Sequence, residues 1–461
     1  MKELSLRESQ KTIIEFLNHS PKKIVAVEAP TGSGKTIAYL KYATTWPGKV
    51  IISTFTKALQ NQIEREINEY FPELNAVVLK GKNNYLCSDK MKLLSEHEAM
   101  LLQQTRPPTR LLDQVKVTSY YCRPQYECPE REVCEYKKIL QQALQAKTVI
   151  VNHFLLKSFL PKLSESDNTL LIIDECHMLE EALKQKIEVK PEHFNPIEEP
   201  CPKGFNTTRE YNKALEEYLK HQRIYELVKE NGISEPGIYE FTQNIKDELN
   251  YTSRTVFVSA TLVTDFEIED QISIGEVLSW ENVSITVVDT LYKDPDYEKR
   301  LLELIKQKVS EYKKTLILAT NNDLLDRIRQ AIPDVHTTLE ERPFILVEKL
   351  KTGQYKAIAG CDTLWTGVDV PGEKCIIMTK LPFPSLFKEE DYEKSILKMT
   401  TTFYQGLGRM VRSRYCKGEI FILDRRITKY PSLIERLTLL EQKGAKVTFE
   451  NSNLLVYQKV A

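Results

Sequence analysis

Short, uninterrupted runs of β-branched and apolar residues set the fold class of this chain. Ile24-Val25-Ala26-Val27, Val50-Ile51-Ile52-Ser53-Thr54, Thr148-Val149-Ile150-Val151 and Leu170-Leu171-Ile172-Ile173-Asp174 recur through its first half, each followed by a helix-like stretch. A strand with one wet face alternates apolar and polar residues; a run without alternation suits a strand covered on both faces. Strands alternating with helices give a parallel, doubly wound sheet, so the expected class is α/β. A second series starts near Val283 and continues through Thr315-Leu316-Ile317-Leu318, Ala357-Ile358-Ala359, Cys375-Ile376-Ile377-Met378 and Ile420-Phe421-Ile422-Leu423-Asp424.

The pattern breaks twice. From Gly81 to Lys147 it gives way to helix-like segments, such as 90–104, and four cysteines. From His177 to Tyr251 it is charged, helical in pattern and free of strong strand runs, until Val256-Phe257-Val258-Ser259-Ala260 returns as a strand. Both breaks read as insertions into the first domain. The expected division is a first α/β domain in three pieces (1–80, 148–176 and 252–282), insertions at 81–147 and 177–251, and a second α/β domain over 283–461. A chain of 461 residues has room for about three domains.

Composition excludes little. A net charge of −1 argues against broad coating of duplex DNA, yet it does not exclude nucleic-acid binding, which needs only a basic groove. No stretch reaches the ~20 apolar residues of a membrane span, and Met1-Lys2-Glu3-Leu4-Ser5 starts no signal sequence, so a cytoplasmic protein is expected.

Ala29-Pro30-Thr31-Gly32-Ser33-Gly34-Lys35-Thr36 follows a strand and opens a helix. It is a phosphate loop with Ala29 in the first glycine position. Glycines let backbone N–H groups approach phosphates, Lys35 neutralises the β- and γ-phosphates, and Thr36 is placed to ligate Mg²⁺. Asp174-Glu175-Cys176-His177 ends a strand, as a Walker B site does: Asp174 is expected to hold Mg²⁺, and Glu175 to orient and deprotonate the attacking water. On a helix, Gln405, Arg409 and Arg412 would share one face and present guanidiniums to the γ-phosphate. Arg7 and Gln10 precede the first strand and are candidates for adenine. ATP is the expected nucleotide.

Nine cysteines suggest no disulfide framework, but Cys87, Cys122, Cys128 and Cys134 are set apart by spacing. Four thiolates can hold a [4Fe–4S] cluster or zinc; the absence of short paired knuckles favours the larger cluster. Tyr85, Tyr120, Tyr121 and Tyr126 are interleaved with Lys80, Lys82, Lys116 and Arg123, a mixture that suits stacked bases and phosphates or simply packs a core.

Taken in order, these blocks resemble superfamily 2 helicases. Ser53-Thr54-Phe55-Thr56 through Gln62 looks like motif Ia, Ser259-Ala260-Thr261 like motif III, and Trp365-Thr366-Gly367-Val368-Asp369-Val370-Pro371-Gly372 like motif V. The DECH box, the segment Leu79 to Cys87 and Val151-Asn152-His153 resemble the DinG/XPD family of iron–sulfur helicases. The resemblance implies two RecA-like domains, the first with an iron–sulfur insertion and a short helical Arch-like insertion. It implies Asp369 at the nucleotide. It also implies a monomeric 5′-to-3′ motor on single-stranded DNA that unwinds forks, D-loops or R-loops in repair or replication. Ala29, and Thr366 where the family has Glu, depart from the pattern; the second insertion is short, and no fused exonuclease is expected. The rival readings are a non-unwinding, redox-regulated DNA-binding ATPase and an RNA-directed or CRISPR-associated helicase.

Overall fold

The computed structural model describes residues 5–30, 32–87, 132–164, 168–201, 204–205, 208–260, 262, 266–275, 278–361, 363–366, 370–384, 392–411 and 417–451. The apolar runs become strands whose residues are almost wholly buried. In chain order the first nine strands are β1 (Ile24–Glu28), β2 (Lys49–Thr54), β3 (Ala76–Val78), β4 (Thr148–Asn152), β5 (Thr169–Asp174), β6 (Lys184–Val189), β7 (Gly237–Thr242), β8 (Arg254–Ser259) and β9 (Asp270–Ser273). Seven of them form one sheet in the order β3-β4-β2-β5-β8-β1-β9, every pair parallel. Helices cover both faces. Ile13, Leu17, Tyr39, Leu40, Ile63 and Ile67 pack on one face, and Leu156, Leu160 and Leu163 on the other.

The second sheet has seven strands: β10 (Val283–Val287), β11 (Thr315–Leu318), β12 (Val335–Thr337), β13 (Ala357–Gly360), β14 (Lys374–Met378), β15 (Gly418–Ile422) and β16 (Lys446–Phe449). Their order is β12-β13-β11-β14-β15-β10-β16, again with every pair parallel. Two parallel seven-stranded sheets with covering helices are two RecA-like α/β domains, the expected class.

The region 177–251 needs a correction. It was expected to be helical and without strong strands, but β6 and β7 pair there as an antiparallel ladder beside the helix Thr208–Glu230. The strands Lys-Gln-Lys-Ile-Glu-Val and Gly-Ile-Tyr-Glu-Phe-Thr interrupt their apolar residues with charged and polar ones. They are half-solvated, so they lack the apolar run that betrays a strand buried on both faces. Val189, Ile224 and Val228 make a small separate core there.

Buried Arg254 on β8 fixes the first helix, Glu8–His19, to the sheet. Its guanidinium donates to the carbonyls of Leu17, Ser20 and Lys22 at 2.6–3.0 Å, satisfying the helix C-terminus. That contact sets where the residues at the helix start, Arg7 and Gln10, stand.

Candidate active site

Ala29 leaves the buried end of β1, and its N–H donates to the Ser259 carbonyl of the neighbouring strand at 2.9 Å. The loop then turns through Gly32 and Gly34, both at φ +84°, a conformation that favours glycine. At Gly34 space also demands it: a Cβ would stand 2.2 Å from Gln10 Nε2. The helix Lys35–Thr45 starts directly after. Lys35 is almost fully buried and donates to the Ala29 carbonyl at 2.8 Å, folding its ammonium over the loop. Ser33 is buried, and Thr36 half-buried at the helix start.

Arg7 and Gln10 hold this loop by its main chain. Arg7 Nη1 donates to the Gly32 carbonyl at 2.8 Å and Gln10 Nε2 to the Gly34 carbonyl at 3.3 Å, while the Arg7 N–H donates to Gln10 Oε1. Both residues therefore brace the phosphate loop.

Asp174 and Glu175 stand at the C-terminal end of β5. Asp174 is buried and accepts from Tyr39 Oη at 3.1 Å. Burial, and then the charge of Glu175, push its carboxyl up to about 7. A buried acid with a half-buried one next to it, near the Lys35 ammonium, favours a cation, so the donor set fits Mg²⁺ held by Thr36 and Asp174. Glu175 is bent into the left-handed region (φ 54°), a costly backbone for a non-glycine residue.

His177 joins three of the blocks. Its Nδ1 lies 2.8 Å from Ser259 Oγ and 3.5 Å from Glu175 Oε2. Its Nε2 lies 2.6 Å from the amide nitrogen of Gln405, which comes from the second domain. The Gln405 amide donates, so Nε2 accepts and Nδ1 carries the proton. Burial lowers the His177 pKa, consistent with a neutral ring. Behind it, His153 is wholly buried against Ser53 Oγ at 2.7 Å, and burial drives its pKa to about 3.

The helix carrying Gln405 runs Tyr392–Gly408 and stops there. The expected shared helical face therefore ends before Arg409. Buried Arg409 follows in a turn and donates from Nε to the Trp365 carbonyl at 3.0 Å. Thr31, Asp369, Arg412, Cys122 and Cys128 lie outside the described residues. Of the other two cysteines, Cys87 is buried and Cys134 half-buried. The rings of Tyr85 and Tyr136, two residues from each, meet at 5.5 Å and bring those segments together.

Sequence reasoning missed Tyr39, Arg342 and Lys57. The last two, with Lys80, form a basic group: burial, then Lys80, then Arg342 lower the Lys57 pKa. Lys57 and Lys80 belong to the first domain and Arg342 to the second. Exposed Phe154 and the Phe55 ring lie beside β2 and β4, 5.9 Å apart. Each of these residues is ordinary alone; only the fold assembles them.

Comparison with known proteins agrees with this geometry. Residues 3–199 match the family "Type III restriction enzyme, res subunit" and 296–438 the "Helicase C-terminal domain" family. The ATP-dependent DNA helicase YoaA of Escherichia coli is 30% identical over 201 residues, 35% of this chain and 31% of that protein. A solved XPD helicase superposes with a TM-score of 0.60 at 15% identity, covering 97% of this chain and 100% of that one. Together these matches support a DinG/XPD-like helicase of superfamily 2. A protein named 3′-5′ exonuclease DinG, from Staphylococcus haemolyticus, matches this DinG/XPD-like chain at 24% identity over 359 residues, 70% of the chain and 39% of that protein. The matches thus span about a third of the length of these curated relatives. Among the described residues, no helix is long and apolar enough to cross a membrane.

Proposed function

We propose that this chain is an ATP-driven DNA helicase that moves 5′ to 3′ along single-stranded DNA and opens forks, D-loops or R-loops in repair or replication. The hydrogen bond from Gln405 to His177 carries the reading, because it joins the second domain to the acidic box of the first. ATP would bind between the domains. Lys35 holds the β- and γ-phosphates, Thr36 and Asp174 hold Mg²⁺, and Glu175 takes the proton of the attacking water. The Mg²⁺ supplies charge neutralisation on the phosphates. Arg409 and Arg412 approach the γ-phosphate as the cleft closes, and Gln405 releases His177 as it opens. The single strand runs over both domains along Phe55, Phe154, Lys57, Lys80 and Arg342, where rings offer stacking and cations follow phosphates.

A [4Fe–4S] cluster on Cys87, Cys122, Cys128 and Cys134 completes the proposal. The Tyr85–Tyr136 contact supports it by holding the segments of the first and last cysteines together. Among the described residues no group of three metal-binding side chains is assembled, two of the four cysteines lying outside them. The cluster would supply a rigid core for an insertion too small to build one. We further propose that the motor works as a monomer in the cytoplasm.

Anaerobically purified protein should hydrolyse ATP faster with single-stranded DNA and displace a strand from a 5′-tailed fork. ATP hydrolysis on DNA without strand release would instead establish the non-unwinding ATPase. Stimulation by RNA alone would establish an RNA-directed enzyme.

A further inference from the structure

The segments that follow the C-terminal ends of β10, β11 and β14 meet around an open crevice in the second domain. It lies at a topological switch. The chain leaves β11 towards β12 on one side of the sheet and leaves β14 towards β15 on the other. In open α/β sheets such a crevice is where ligands bind. Tyr292, Asn321, Arg327 and Lys380 line it, with the acids Asp294 and Glu298.

Both acids are engaged. Asp294 is paired with Arg425 at 3.2 Å and Glu298 with Arg327 at 3.2 Å. Lys293 and Lys380 have no carboxylate partner among the described residues. Both ammoniums instead lie over the exposed Tyr292 ring, at 5.7 and 4.8 Å from its centroid. The platform is rigid beneath. Fully buried Asp424 binds Arg426 through both oxygens, at 2.9 and 2.6 Å, and accepts the Leu381 N–H at 3.0 Å, which fixes the loop carrying Lys380. The Arg426 guanidinium then sits 5.7 Å from the Tyr292 ring and 5.2 Å from that of Phe383.

An exposed ring with two ammoniums that have no carboxylate partner among the described residues, on a fixed base, suits one chemistry best, a base stacked between phosphates. We propose that Tyr292, Lys293 and Lys380 form a station for one nucleotide of single-stranded DNA on the second domain. The ring stacks on the base and the lysines take the flanking phosphates. The station deepens the motor reading and rests on it.

The full chain would be tested with oligo(dT). Tyr292→Ala, and Lys293→Ala with Lys380→Ala, should each raise the oligo(dT) concentration for half-maximal ATPase by about tenfold, within the usual worth of a stacked base. ATPase without DNA should not change. Tyr292→Phe should behave as wild type, because stacking uses the ring and not the hydroxyl, and this guards against a folding defect. Tyr292→Trp should lose emission when oligo(dT) binds. Alanine variants with the wild-type half-maximal concentration, together with unquenched Trp emission, would overturn the station while leaving the motor reading intact. Quenching in a protein whose ATPase ignores oligo(dT) would uphold the station and overturn the motor.

Discussion

At the scale of single residues, the site is built from groups held where they are uncomfortable. Glu175 sits in left-handed backbone, Asp174 is a buried acid, and Lys35 is a nearly buried ammonium. Such placements make sense when phosphates and a cation complete the charge balance. Lys35→Ala should lower ATP turnover by about a hundredfold or more, the usual cost of losing a donor aimed at developing charge, and spare DNA binding. Steady-state ATPase and a DNA-binding titration check both halves. His153 gives a pH prediction. Its folded pKa is depressed from 6.5 to about 3 by burial, so between those values the unfolded chain binds the extra proton. Its contribution to stability is complete above pH 6.5 and is lost as pH falls towards 3, at up to about 1.4 kcal/mol per pH unit. Urea unfolding at several pH values should show a shallower acid-side slope for His153→Gln than for wild type. Equal slopes would mean that His153 is not the group that titrates.

At the scale of elements, the cysteine segments are the clearest test. Cys122→Ser should lose iron and visible colour and abolish fork unwinding, yet keep much of the DNA-stimulated ATPase. Lys35, Asp174 and Glu175 lie outside the insertion and do not need it. Iron content and strand displacement on the same preparation decide this, and stoichiometric zinc in wild type would exclude the cluster. The elements also show what the sequence made legible. The fully covered strands β1, β2, β4, β5, β8, β11, β13 and β14 were readable because burial on both faces leaves an uninterrupted apolar run. The strands β3, β9, β12 and β16 lie at sheet edges, are three or four residues long and partly exposed, and leave no such trace. The site divides in the same way. The phosphate loop and the acid pair are contiguous and so readable. The Tyr39 contact with Asp174 and the Tyr292 platform join residues far apart in the chain, which only the fold brings together.

At the scale of the whole molecule, the two domains share few polar contacts among the described residues. Gln405 meets His177, and Lys398 meets Glu181 at 2.8 Å. The second is an exposed ion pair and contributes little. Gln405→Ala should therefore leave ATP binding near normal, cut turnover by about tenfold, equivalent to ~1.4 kcal/mol in the barrier, and flatten the response to single-stranded DNA. Nucleotide titration against ATPase with and without DNA reads this; an unaltered DNA response would mean that the domains communicate elsewhere. The order of the first sheet has a different consequence, for the making of the protein. β1, which presents the phosphate loop, is flanked only by β8 and β9, more than roughly two hundred residues downstream. During synthesis the strand emerges before either partner and waits, with both edges open, until those two strands have also left the ribosome. In the second domain β10 waits likewise for β15 and β16, but over a shorter stretch of chain. The nascent first domain is thus where this protein is most exposed to chaperones and to aggregation.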